Sequence, residues 1–185
     1  MHVGDYLLGL VTIVLGLALA AMATAIDRLV KRRREVRLDA VTILAAAFVF
    51  YAVIANLWAE YVHYHTVTAA PLAEGATMIV TFMITYLMAA LVLPDEWEGK
   101  LDLRDHYKNV RRPLWGLFGL NALAVFTTNI VRNGAPKLSN YVSLAIGLAI
   151  SFILMNVRPR IVQMAVLLGV LALQVWSLGN LEISG

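Results

Sequence analysis

Pro94-Asp95-Glu96-Trp97-Glu98-Gly99-Lys100-Leu101-Asp102-Leu103-Arg104-Asp105-His106-Tyr107-Lys108-Asn109-Val110-Arg111-Arg112-Pro113 is the longest polar run in the chain, and it lies near the middle. Its two prolines mark where one apolar run stops and the next begins. Three apolar segments of membrane length precede it, and three follow. Of the 185 residues, 61% are hydrophobic and only 15% are charged. Soluble domains carry about 25% charged residues, and the mean hydropathy here is +0.76. A helix needs roughly 20 apolar residues to cross a bilayer, so this length accommodates about six spans joined by short connections. The expected fold is all-α: a polytopic membrane protein whose single transmembrane domain has six helices.

Leu103, Tyr107, Val110 and Leu114 recur at helical spacing within the central run. Asp102 can cap the start of that helix, with Asp105 three residues later. This predicts a short amphipathic helix over 102–112, lying at the membrane interface between spans 3 and 4 and bending into span 4 at Pro113. The spans themselves are expected at about residues 6–26, 40–60, 72–93, 114–131, 139–157 and 161–178. All five prolines fall at these boundaries. The N-terminus lacks a basic leader region, and its apolar run is too long for a signal peptide, which predicts a retained span. Arg132 to Lys137 reads as a turn. Arg158-Pro159-Arg160 is so short that spans 5 and 6 are expected to form a tight hairpin. Gly9 and Gly16 share a face of span 1; small residues let helices approach closely, and the ordinary use of such a face is packing inside the bundle.

Charge sets the orientation. The connections after spans 1, 3 and 5 hold 13 of the 15 Lys and Arg residues, and Arg132 and Lys137 are the other two. The positive-inside rule places the rich side in the cytoplasm, with both termini on the extracytoplasmic side. Trp97, Tyr107 and Trp115 are expected to mark the inner interface, and Trp58, Tyr61, Tyr64 and Trp176 are among the aromatics expected at the outer one. The basic tract holding Arg28, Lys31, Arg32, Arg33 and Arg34, with Arg111 and Arg112 in the central run, is expected to fix topology and to contact anionic lipid rather than nucleic acid. The two halves run in opposite senses, as in inverted-repeat transporters. Only the likeness of Leu7-Leu8-Gly9-Leu10 to Leu114-Trp115-Gly116-Leu117 supports a repeat.

The segment Tyr86-Leu87-Met88-Ala89-Ala90-Leu91-Val92-Leu93-Pro94-Asp95, with Asp102-Leu103-Arg104-Asp105-His106-Tyr107 and Arg111-Arg112, resembles a group of small bacterial six-span inner-membrane proteins of unknown function. The resemblance implies a bacterial inner (cytoplasmic) membrane location. It carries no activity and no functional residues.

Several chemistries lack their residues. There is no cysteine, no His-Glu-x-x-His zinc motif, no Gly-x-Ser-x-Gly elbow and no glycine-rich phosphate loop. No cofactor and no metal is expected, and an enzyme ranks last. The densest polar cluster closes span 2, where Asn56, Glu60 and His63 recur on one helical face. A carboxylate in an apolar span tends to face a bundle interior or an aqueous cavity. Glu60 therefore stands out, although a helix-end carboxylate among headgroups is the simpler reading. Asn121 and Thr128 share a face of span 4. A threonine stripe in span 3, Thr77, Thr81 and Thr85, needs no function, because each hydroxyl can return to the preceding turn. The leading expectation is a small oligomeric channel or transporter for an ion or solute, with Asn56, Glu60 and His63 at its outer mouth and Asn121 and Thr128 deeper. The alternative is a non-catalytic membrane subunit that packs on a larger complex or organises lipid.

Overall fold

A computed structural model describes residues 3–64 and 71–179. His2 and His65, and the side chain of Trp176, lie outside what it describes. Six helices dominate: α1 (Val3–Lys31), α2 (Ala40–Tyr64), α3 (Leu72–Val92), α4 (Leu103–Asn133), α5 (Leu138–Asn156) and α6 (Arg160–Gly179). The first five are long and apolar enough to cross a membrane. The apolar α6 is 20 residues long. α3 is the hub and packs on α1, α2 and α4, while α5 flanks α4 and α6 flanks α2. The expected α5–α6 hairpin is therefore splayed: α6 leans mainly on α2 and touches α5 only slightly. The wedge between α4, α5 and the end of α6 forms a groove.

The central run does not make a separate interfacial helix. α4 starts at Leu103 and passes unbroken through Pro113. Proline inside a helix removes one backbone hydrogen bond and crowds the preceding turn. Continuous burial on both sides of Pro113 offsets this, since Leu103, Tyr107, Leu114 and Trp115 all enter the core. Trp115 Nε1 also donates to the Tyr107 hydroxyl at 3.0 Å, joining the turns on either side of the proline. Tyr107 and Trp115 are thus core residues, not interface anchors. Trp115 meets Phe48 of α2 at a tilt, ring centroids 5.7 Å apart, which fastens α4 to α2, and meets Phe118 of its own helix edge-on at 5.9 Å.

Capping explains the helix starts on the basic side. Asp102 accepts from the Arg104 amide at 2.8 Å. Asp39 accepts from the Thr42 amide at 3.1 Å, satisfying a free N–H of the first turn of α2. The Thr42 hydroxyl lies 3.0 Å from both the Asp39 carboxylate and the Leu103 carbonyl. Asp39 also forms an ion pair with Arg160 at the start of α6. Just beyond these caps, β1 (Val36–Arg37) and β2 (Leu101–Asp102) pair in parallel. This two-residue ribbon ties the α1–α2 loop to the α3–α4 loop.

At the other end, hereafter the distal end, α4 reaches Asn133 and stops at Gly134. There φ is +72°, and the glycine N–H bonds to the Ile130 carbonyl at 2.8 Å. Only glycine adopts this backbone without strain. The residues read as a turn from 132 onward therefore begin on the helix, and Arg132 sits in its last turn.

α1 docks through Val11, Leu15, Ala18, Met22 and Ala25, which recur at helical spacing and are all buried. Gly9 and Gly16 are not used for packing within the bundle. A Cβ built on either would meet nothing within 4 Å. The bulkier stripe captures the inward face of α1, and the glycines turn outward.

Candidate functional site

The distal ends of α2, α3 and α4 bring five polar side chains together. Arg132, in the last turn of α4, is the centre. Its guanidinium donates to Glu60 of α2 at 2.5 Å and to Glu74 of α3 at 2.9 Å. It also donates to the Tyr64 hydroxyl at 3.2 Å, with its charge 5.3 Å from the centre of the Tyr64 ring. Tyr64 donates onward to Glu74 at 2.9 Å, and His63 Nε2 lies 3.0 Å from the same carboxylate oxygen. The side chains of Arg132, Glu60 and Glu74 are 13, 12 and 6% exposed.

Local sequence explains this convergence. Glu60 and Tyr64 are one helical turn apart on α2, so they share a face. Glu74 sits in the first turn of α3, and Arg132 in the last turn of α4. Charges this far from water are costly unless paired and fully hydrogen-bonded. Glu74 accepts from up to three donors, whereas Glu60 depends on Arg132. Two carboxylates against one guanidinium leave the cluster with one excess negative charge while His63 is neutral.

Deeper in the bundle, one turn from Glu60 along α2 and about three turns from Glu74 and Arg132 along α3 and α4, lies a neutral cluster. Asn121 donates to the Thr85 hydroxyl at 3.0 Å and to the Thr81 carbonyl at 3.2 Å. Asn56 reaches the same Thr85 hydroxyl at 3.4 Å. Thr85 in turn returns its proton to the Thr81 carbonyl at 3.0 Å. One threonine thus joins α2, α3 and α4. Interhelical hydrogen bonds of this kind hold helices together where apolar contact gives no preference over lipid.

The candidates named from sequence therefore separate into groups. Glu60 and His63 enter the charged cluster, Asn56 and Asn121 meet at Thr85, and Thr128 bonds back to Ala124 of its own helix at 3.0 Å. Among the basic residues, Arg28 donates to the Asp95 carbonyl, and Arg32 to the Trp97 carbonyl at 3.2 Å. Lys31 pairs with Asp27 at 2.6 Å, and Arg111 donates to the Val157 carbonyl at 3.1 Å. Arg33, Arg34 and Arg112 are exposed. Among the described residues, no group of three or more His, Asp or Glu side chains is arranged to hold a metal ion.

Sequence reasoning missed Arg132, Glu74 and Tyr64. The signal for them was positional: a cation and two carboxylates, each within a turn of a helix end, on the side of the protein poorest in charge. The chain matches no protein-family model, no curated protein and no solved structure.

Proposed function

We propose that this chain is a non-catalytic six-span subunit of a bacterial inner membrane, with its basic end in the cytoplasm and both termini outside. It associates in the bilayer with a second copy of itself. One observation carries this reading ahead of the channel: the polar side chains available for a permeation path are bonded to one another across α2, α3 and α4. Glu60 is held by Arg132, and Asn56 and Asn121 are held at Thr85. These bonds make that part of the bundle a clamp. The outward glycines supply a face for association, because small residues let a neighbouring backbone come close.

The lack of native cysteine makes the test direct. A single Gly16→Cys substitution is expected to give an intermolecular disulfide in native membranes. Leu87→Cys, on an exposed face of α3, is expected to give none. Equal cross-linking at both positions, or at neither, would count against association through α1.

The channel reading ranks second. The excess carboxylate of the distal cluster favours it, since such a charge attracts cations. It requires Glu60 to leave Arg132. Proteoliposomes loaded with a pH-sensitive dye, under K⁺ or Na⁺ gradients, are expected to show no protein-dependent flux. Flux that drops in Glu60→Gln would restore the channel and reject the clamp.

A further inference from the structure

The seam between α1 and α2 carries a long apolar groove at the basic end. Its volume is about 590 Å³, and its walls include Met22, Leu29, Ile43, Ala47 and Phe50. The volume lies within the roughly 300–1,000 Å³ of ordinary ligand pockets. One charged residue lines the groove, Arg33.

The basic tract beside it is unevenly employed. Arg28 and Arg32 are bonded to the backbone of the central loop, and they share a cleft with Asp95, Glu96 and Glu98. Lys31 is paired with Asp27, and Arg37 with Asp102. Arg33 and its neighbour Arg34 have no side-chain partner among the described residues. An unpaired guanidinium therefore stands at an apolar slot on the flank of the bundle.

We propose that this groove is a binding site for an anionic phospholipid of the leaflet on the basic side. One acyl chain lies along the α1–α2 seam, and the headgroup phosphate is held by Arg33, with Arg34 adding charge. Guanidinium pairs well with phosphate through two parallel N–H bonds. Apart from Arg33, the side chains that line the slot are apolar and suit a hydrocarbon chain, so chain and phosphate are recognised by different parts of the site. The site rests on the helices lying in a bilayer and is independent of association through α1.

The test is native mass spectrometry of the full chain released from nanodiscs. These contain equal amounts of phosphatidylglycerol and phosphatidylcholine with identical acyl chains. Wild-type protein is expected to retain phosphatidylglycerol preferentially. Arg33→Gln should cut that preference about fivefold, the effect of one basic residue near an anionic headgroup. Ala47→Trp should fill the groove and remove the bound lipid of either kind. Both residues are exposed, so helix content by circular dichroism should be unchanged. Equal retention of the two lipids by the wild type would overturn the proposal. So would phosphatidylglycerol retention that survives Ala47→Trp, since the basic tract would then be acting without the groove. Displacement of the lipid by inorganic phosphate alone would also overturn it, by reducing the site to a headgroup contact. A second protein chain protecting the seam in place of lipid would have the same effect.

Discussion

Arg132 is the residue on which most depends. It satisfies two carboxylates from two other helices, and each would otherwise stay buried with its charge uncompensated. Removing one partner of a buried ion pair costs about 3–5 kcal/mol. Arg132→Gln is therefore expected to lower the unfolding midpoint in mild detergent more than any other single change in the cluster. Glu74→Gln should cost more than Glu60→Gln, because Glu74 also accepts from Tyr64 and sits against His63. Replacing Arg132, Glu60 and Glu74 together by leucine should recover most of the loss, since a packed apolar trio carries no desolvation penalty. Failure of the triple change to recover stability would mean that the ion pairs contribute net attraction. Of its five side chains, Glu60 and His63 could be read from the chain. The i, i+4, i+7 spacing of Asn56, Glu60 and His63 predicts a shared polar face, but spacing within one helix says nothing about its partners. Arg132 is obscured by Asn133-Gly134, a strong turn signal that begins immediately after it.

At the scale of the element, the glycines separate into two kinds. Gly119 of α4 faces α5, and a Cβ there would lie 2.8 Å from the Ser151 hydroxyl oxygen. That serine is already held, donating to the Trp115 carbonyl at 2.6 Å. Gly119→Ala should destabilise the bundle by about 1–3 kcal/mol through overpacking. Gly9→Ala and Gly16→Ala meet open space, so neither should destabilise the isolated chain. Parallel thermal melts of the three variants check the contrast. The same scale shows why sequence placed Trp115 wrongly. Tryptophan close to the start of a span usually marks an interface, and a span that starts after Pro113 puts Trp115 in its first turn. The helix instead starts at Leu103, well before the proline, which leaves Trp115 several turns in and wholly buried. The β1–β2 ribbon was invisible for a different reason. Two residues a side are too few for any alternating pattern, and the pairing joins segments 65 residues apart.

For the molecule as a whole, the two ends are fastened by different means. The distal end relies on buried charge. The basic end relies on caps, the ribbon and the Asp39–Arg160 pair, which links α2 to α6 across the chain. Arg160→Gln should free the start of α6 while leaving the α2–α3–α4 clamp in place. Hydrogen exchange should then rise in 160–167 and stay unchanged in 81–88. Exchange rising equally in both segments would show that the bundle opens as one unit. Among the described residues, the six long helices and their order were legible in hydropathy and proline placement, whereas the expected separate short helix is the start of α4. The choice of neighbours was not, because apolar helices of similar length present no periodic difference that tells α6 to lean on α2 instead of α5.

The clamp also has a consequence in time. Chains are made from the N-terminus, at roughly 5–20 residues per second. Arg132 follows Glu74 by 58 residues and Glu60 by 72. For roughly 3–12 seconds of synthesis at those rates, from the addition of Glu74 onward, the nascent protein holds two acidic helices without Arg132 to join them. Until the fourth helix arrives, Glu60 and Glu74 lack the guanidinium that compensates their burial, and an uncompensated buried carboxylate is costly. A chain halted at residue 125 is predicted to remain accessible to a water-soluble carboxyl reagent at both glutamates. A chain halted at residue 175 should be protected, which makes the fourth helix the closing step of assembly.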